Sequence, residues 1–433
     1  MKAFVTTLFV SLTLMTFGQN PNVGLNETPR HIVDKAVANW KAKNATLTAS
    51  ATQASFNAGT TMAAEFAFAD ETLDGIESID RGLWNETTTW DCACIPTAEH
   101  NVTVRHEVTL SADASVGSLL LDNGGRLLAN DPATLTFKGN LTSVEAQPAS
   151  SQISLIADNA GAMQMLDATM SISNLTVANR TALDVYGSIK AFGHIEVNDA
   201  TLAVDADATL TLGEDDMGRA TILRKNGGNV IGKLTREIFL AAAPNSNNVF
   251  SISQRISVGL EGVTVAEFVG DIPTWGFDGA DITNGFASIG FWSATAQWNY
   301  AAVSNVTDTL PVFEGVYLSL NPGQDYTLRF SGTLPEGNFE TEVPQNAFSV
   351  LVGNATNANV SLNAIDAQFG DDNTSFRCWN TRTLQFDQYI SGLSTNELGA
   401  TLQPNTTCEF APSGMTDLTM ASNEGMPKGT HST

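Results

Sequence analysis

The sequence predicts an all-β protein: a parallel β-helix followed by an antiparallel β-sandwich of jelly-roll type, with a short N-terminal helix capping the stack. Three observations carry that expectation. From about Trp84 to Leu234 the chain is cut into strands of three to five residues, broken by Gly, Asn, Asp and Ala. These are shorter and more closely spaced than sandwich strands usually are, so alternation is kept while direction changes every few residues. After "NGGNVIGKLTREIFL" (226 to 240) the strands lengthen and aromatic residues concentrate. Finally, 433 residues are comfortable for two domains, each burying its own core.

In chain order, Met1-Lys2, the apolar run "AFVTTLFVSLTLMTFG" and Gln19-Asn20 read as a secretory signal peptide over residues 1–19, cut near Gly18 or Gln19. No later stretch is apolar for long enough to span a bilayer, so the mature chain is expected to be secreted or at a bacterial cell surface. Residues 20–81 read as a cap or linker. Within them "ETPRHIVDKAVANWKAK" suits a helix: Thr28 caps, Pro29 fits the first turn, and Ile32, Val33, Ala36, Val37 and Trp40 share a face. Such a helix covers the open end of a sheet stack.

Residues 82–235 read as the β-helix. Strands such as "NVTV", "EVTL", "SLLL", "ATLTF" and "GNLT" alternate, so one residue in two points inward. The expected inward set is Val102, Val104, Val108, Leu110, Leu119, Leu121, Leu135, Phe137, Ile189, Ile195, Val197, Leu202, Val204, Leu210 and Leu212. With coils of roughly 20 to 25 residues this span supplies about six. Residues 236–415 read as the sandwich. There "VYLSLNPGQDYTLRFSGTL" (316 to 334) has alternating strands on either side of Asn321-Pro322-Gly323-Gln324-Asp325 and is expected to be a hairpin. Residues 416–433 read as a polar tail.

Charge narrows the function. Lys and Arg number 21 against 46 Asp and Glu, a net charge of -25. Long-range repulsion therefore disfavours a nucleic-acid groove or an anionic membrane surface, while divalent cations fit better. Four cysteines and five histidines are all the chain offers for thiol or metal work. Cys92 and Cys94, with His100 and His106 nearby, admit a Cys2His2 zinc site, but the spacing is not that of a zinc module. Export to an oxidising compartment favours disulfides: a local bridge or a staple at the first coil here, and a Cys378–Cys408 pair between strands of the sandwich, stabilising by roughly 2 to 4 kcal/mol.

Trp84 and Trp90 are expected to pack under the cap rather than stack on sugars. Trp275, Trp292, Trp298 and Trp379 are the ligand-binding candidates, provided they line one open sandwich face. Acidic turns at 204–208, 213–218, 277–285 and 369–375 offer oxygen ligands, and Asp371, Asp372 and Asn373 form the densest Ca²⁺ candidate. No other cofactor is expected. Lys138, Arg180, Lys190, Arg224 and Lys225 are scattered, and no G-x-S-x-G, HExxH or phosphate loop occurs. The expectation is thus no catalytic residue, with a polysaccharide lyase or hydrolase as the alternative. Asn-x-Ser/Thr tripeptides at Asn85, Asn101, Asn140, Asn174 and Asn405 arise readily by composition.

"GLWNETTTWDCACIPTAEHNVTV" followed by "LLLDNGGRLLANDPATLTFKGNL" resembles the repetitive secreted proteins of Bacteroidetes-type bacteria, in which such an opening begins a right-handed β-helix. "ATLTLGEDDMGRATILRKNGGNVIGKLTRE" is similar to the closing coil, and "EGVTVAEFVGDIPTWGFDG", "FEGVYLSLNPG", "YTLRFSGTLPEGNF" and "FSVLVGN" to the sandwich that follows it. The resemblance covers about residues 82 to 410. It implies an exported, non-catalytic surface or matrix component, often adhesive, using the type IX secretion route. Its expected partners are extracellular polysaccharide or surface and matrix proteins. The chain departs from that pattern twice: Ala355-Thr356 follow "LVGN" where relatives tend to place Pro and an aromatic, and "TDLTMASNEGMPKGTHST" is not a sorting domain. A fragment and a different export route both remain open.

Overall fold

The structure is a computed structural model that describes residues 48–49, 68–69, 75–148, 152–216, 218–242, 253–293, 300–336, 339–342, 350–354, 356–362, 365, 375–390, 401–410 and 417–420. The expected capping helix lies outside them. The chain divides into two compact units, residues 1–76 and 77–433. In the first, Thr48–Ala49 pairs antiparallel with Phe68–Ala69.

The second unit begins with a β-solenoid of about seven turns. Each turn visits three faces in the same order. The first face stacks Asn101–Val104, Leu119–Leu121, Leu141–Ser143, Met163–Asp167, Ala182–Val185, Thr201–Val204 and Asn229–Ile231 in parallel. The second carries Glu107–Leu110 and Arg126–Ala129, then Thr169–Ile172, Ser188–Ala191, Thr209–Leu212 and Leu234–Leu240. The third runs from Ala114–Val116 through Ala133–Phe137, Ile153–Asp158, Leu175–Ala178 and His194–Asn198 to Thr221–Lys225. Turn length varies more than the sequence suggests: 17 residues separate Val102 from its register partner Leu119, and 28 separate Leu202 from Val230. The longest turn accommodates a small antiparallel hairpin, Glu214–Asp215 against Gly218–Arg219.

Alternation explains the stacking. Every residue of the expected inward set is buried. In-register pairing then sets like on like, as in the column Leu135, Leu155, Leu175, Ile195 and Ile222. Each such aliphatic side chain contributes about 1.5–3 kcal/mol by leaving water. Corners are tied by asparagine. The Oδ1 atoms of Asn101, Asn140 and Asn174 accept the backbone N–H of Ser118 (3.0 Å), Met165 (3.0 Å) and His194 (2.8 Å), each in the following turn. Three of the Asn-x-Thr tripeptides are therefore turn-to-turn clasps.

The second face lacks a strand between Arg126–Ala129 and Thr169–Ile172, and one side chain fills the gap. Gln147 donates its N–H to Thr169 O at 2.8 Å, while its carboxamide accepts from Leu127 N–H at 3.2 Å and donates to Gly125 O at 3.1 Å. Gln147→Leu leaves two backbone groups without these partners, and each such loss costs about 1–3 kcal/mol. A urea-denaturation midpoint lowered accordingly, with Gln147→Glu intermediate, is the expected result; an unchanged midpoint would remove this role.

Beyond the solenoid two four-stranded antiparallel sheets face each other. One orders Ser253–Ile256, Val316–Ser319, Ile289–Trp292 and Tyr300–Ala302; the other orders Val350–Gly353, Thr407–Phe410, Ser375–Asn380 and Gln385–Ile390. Trp292 and Phe313 share one buried cluster with Val350, Val352, Phe376 and Tyr389. A helix at Val265–Val269 opens with a capping box, Thr264 with Glu267, and packs Phe268 on Phe330 at 5.1 Å. Asp417–Met420, read from the sequence as polar tail, is a strand paired with Phe339–Glu342.

Solenoid and sandwich share a strand. Leu234–Leu240 pairs in parallel with Thr209–Leu212 and, over seven residues, antiparallel with Tyr326–Gly332. The hairpin expected over 316 to 334 is thereby corrected. Val316–Ser319 pairs with Ser253–Ile256 and Ile289–Trp292, while Tyr326–Gly332 joins the solenoid edge. The turn at 321–325 passes the chain between two sheets, because the exposed solenoid edge offers the second strand a longer ladder than its neighbour does.

Candidate functional site: the charged junction and its surroundings

The densest ionic chemistry lies where the solenoid meets the sandwich. Glu214, on the small hairpin, accepts from Arg382 Nε at 2.8 Å, from the Phe239 backbone N–H at 2.9 Å and from Arg219 Nε at 3.4 Å. Arg219 is buried and reaches across to the sandwich, donating to Thr381 Oγ1 (2.8 Å), Pro404 O (3.0 Å) and Thr406 Oγ1 (3.1 Å). Arg236 is completely buried and donates to Ala220 O at 2.6 Å and Asn357 Oδ1 at 2.8 Å. Arg382 also holds Asp216 at 3.1 Å. Beside these groups opens a cleft of about 430 Å³, lined by Lys190, Glu214, Asp216, Glu237, Phe239 and Arg382. Lys190 pairs with Glu237, which Arg329 approaches at 3.7 Å.

Burial pushes the Glu214 carboxyl up, but the Arg219 charge, the Arg382 hydrogen bond and the Phe239 N–H outweigh it and hold its pKa below the usual value. Burial, assisted by repulsion from Arg219, pulls Arg236 down to about 9. Lys190, Glu214, Asp216, Glu237 and Arg382 are each tied to a neighbour of opposite sign. The arrangement clamps two lobes together, and proton transfer would have to break an ion pair first.

The sequence missed this junction. "GEDDMG" reads as a solvated turn, whereas the Glu214 side chain is only 7% exposed. The one available signal was phase: in Leu234, Arg236, Ile238 and Leu240 an arginine occupies an inward position of an alternating strand, and all four are buried.

The residues singled out from sequence are dispersed. Cys92–Cys94 and Cys378–Cys408 are disulfides, the latter between directly paired residues of neighbouring strands. With the Cys92 and Cys94 sulfurs bonded to each other, they are not thiolate ligands. His106 Nδ1 lies 3.1 Å from Ser78 Oγ, and His100 Nδ1 accepts from Thr97 N–H at 3.0 Å. Trp84 and Trp90 are both buried, edge to face with ring centres 5.0 Å apart, and Trp90 Nε1 donates to Trp84 O at 2.8 Å.

Of the four sandwich tryptophans, two are buried. Trp292 sits in the core; Trp379 is buried against Phe386 and donates to Gln254 Oε1 at 2.8 Å. Both are buried, which takes them out of any solvent-facing platform. Trp275 is half-buried, and Trp298 lies outside the described residues. Asp371, Asp372 and Asn373 also lie outside them. Among the described residues no group of three or more His, Cys, Asp or Glu is arranged to hold a metal ion.

One surface element stands out. Across the loop 274–288, Trp275 N–H donates to Ser288 Oγ (3.0 Å), Ser288 N–H to Trp275 O (2.8 Å) and Gly276 N–H to Ile282 O (2.8 Å). This pinned loop presents Phe286, 83% exposed, and Ile282, 60% exposed. Between Arg255 and Arg329 the sequence has no Lys, Arg or His but eight Asp and Glu.

The fold and this surface define an all-β solenoid joined to an antiparallel sandwich. Comparison with family models, with curated proteins and with solved structures returned no match.

Proposed function

We propose that the chain is an exported, non-catalytic structural protein of adhesin type at a bacterial surface or in its matrix, the solenoid supporting a recognition surface on the sandwich. The observation that carries this reading is the pinned loop 274–288. Two large apolar side chains, Phe286 and Ile282, are held out in water on this one ordered loop, and covering them would yield solvation free energy to a partner. The surrounding run of carboxylates supports recognition of a cationic or cation-bridged partner. The leader-like N-terminus, the two disulfides and the resemblance to repetitive secreted proteins support export. The second reading, a carbohydrate-binding module, draws on Trp275, whose half-buried ring neighbours Gly285 in the same loop.

Purified protein applied to immobilised extracellular polysaccharides and surface-protein extracts, with Ca²⁺ and again with EDTA, separates these readings. Binding to protein that falls at least tenfold in Phe286→Ser, about 1.4 kcal/mol, supports the adhesin. Binding confined to glycans supports the module, and release of new sugar ends from any polysaccharide overturns the non-catalytic reading.

A further inference from the structure

The Cys92–Cys94 bridge lies in the segment 84–100, between Gly82–Leu83 and Asn101–Val104. It joins residues only two apart, so it closes a very small loop and contributes little to restricting the unfolded chain. The segment is fixed without it. Trp90 donates to Trp84 O, Thr89 Oγ1 donates to Leu83 O at 2.9 Å, and Glu77 N–H donates to Asp91 Oδ1 at 3.0 Å. Opening the bridge leaves these anchors in place.

Three features favour opening. Cys92 and Ala93 are exposed and Cys94 is half-buried, so the bridge is open to a thiol from the solvent side. Ala93 has φ 50°, a left-handed conformation that a residue bearing a Cβ adopts at a cost and that the reduced loop is free to leave. The Cys94 backbone N–H points at Cys92 Sγ from 3.1 Å, where it stabilises negative charge on a departing sulfur. Cys378–Cys408 is an internal contrast: it spans a separation of 30 residues, and Cys408 is 3% exposed in the sandwich core.

We propose that Cys92–Cys94 is an exchangeable disulfide that accepts electrons from an exported dithiol. A partner thiolate attacks Cys94 Sγ; a mixed disulfide forms, the Cys92–Cys94 bond breaks, and Cys92 leaves as a thiolate that takes a proton. The partner's second thiol gives up its proton and attacks its own sulfur in the mixed disulfide, expelling Cys94. The partner is oxidised to a disulfide, and Cys92 and Cys94 receive two electrons and two protons. Exposed bridges of this kind have more oxidising potentials than buried structural ones.

The test equilibrates the intact protein in graded reduced and oxidised glutathione, quenches with acid and alkylates. Peptide mass mapping then reads each cysteine. Cys92 and Cys94 are expected to be half reduced at a poise at least 100-fold less reducing than Cys378 and Cys408, with transient glutathione found on Cys94 and an unchanged tryptophan near-ultraviolet signal. Ala93→Gly, which accepts φ 50° without the Cβ cost, is expected to shift the Cys92–Cys94 midpoint about fivefold toward more reducing conditions. Equal midpoints for the two bridges, or glutathione trapped only on Cys92, would overturn the proposal.

Discussion

Glu214→Ala is expected to destabilise the protein by about 3–5 kcal/mol, because it leaves the buried Arg219 guanidinium without its carboxylate. Arg219 cannot turn to water: its other donors are committed to Thr381, Pro404 and Thr406 on the sandwich. Glu214→Gln separates charge from volume. It keeps one acceptor oxygen, enough for Arg382 or for Phe239 and Arg219 but not for both sets, turns an NH2 donor toward the others and lacks the negative charge, so it should retain more than half of the loss. The folded-state pKa of Glu214 is lowered from 4.5. Its stabilisation is therefore fully present above that value and is lost as pH falls through the lower folded value. Urea unfolding at pH 7 should show the full difference between wild type and Glu214→Ala, and the two curves should converge in acid. A loss under about 1 kcal/mol at pH 7 would mean that the junction relaxes around the missing charge.

Trp90→Ala carries the second large effect, about 3–5 kcal/mol, the usual range for emptying the space of a buried aromatic ring. Trp90 is 1% exposed, packs edge to face on Trp84 and supplies the hydrogen bond to Trp84 O. Phenylalanine restores part of the ring packing but not the donor and should recover about half. Location matters more than size. A solenoid turn leans chiefly on its neighbours, so the damage should stay local. Hydrogen exchange is expected to accelerate at Asn101–Val104 and Glu107–Leu110 and to remain unchanged in Val350–Gly353. Uniform acceleration throughout the chain would show that the solenoid and sandwich unfold as one unit.

Much of the solenoid was legible because burial imposes a period of two. Val102 and Val104, or Leu210 and Leu212, announce an inward face whatever lies in the next turn. Turn chemistry was less informative. Asn321-Pro322-Gly323 marks a reversal, but whether the two flanking strands pair with each other depends on which other edge is free, and that edge belongs to Leu234–Leu240, far away in the chain. Aromatic content was misleading in a comparable way. Trp292 and Trp379 stand in strands whose inward side is set by partners the sequence does not name, so a cluster of tryptophans looks the same whether it faces solvent or core. The junction was least legible of all. A guanidinium is normally read as surface, and Arg219 and Arg236 are inside because the Pro404 carbonyl, Asn357, Thr381 and Thr406 arrive from residues more than a hundred positions later.

The antiparallel strand Tyr326–Gly332 gives the stack a direction. A repeat array normally frays from both ends, but removing the last turn here would tear a seven-residue ladder together with the ion pairs around Glu214. Within this unit, turns can therefore peel away only from the Trp84 side, one after another, toward a fixed base. Pulled by its ends in a single-molecule experiment, such a chain would pay out in small successive steps before one larger rupture, and the order of those steps would follow the order of the sequence.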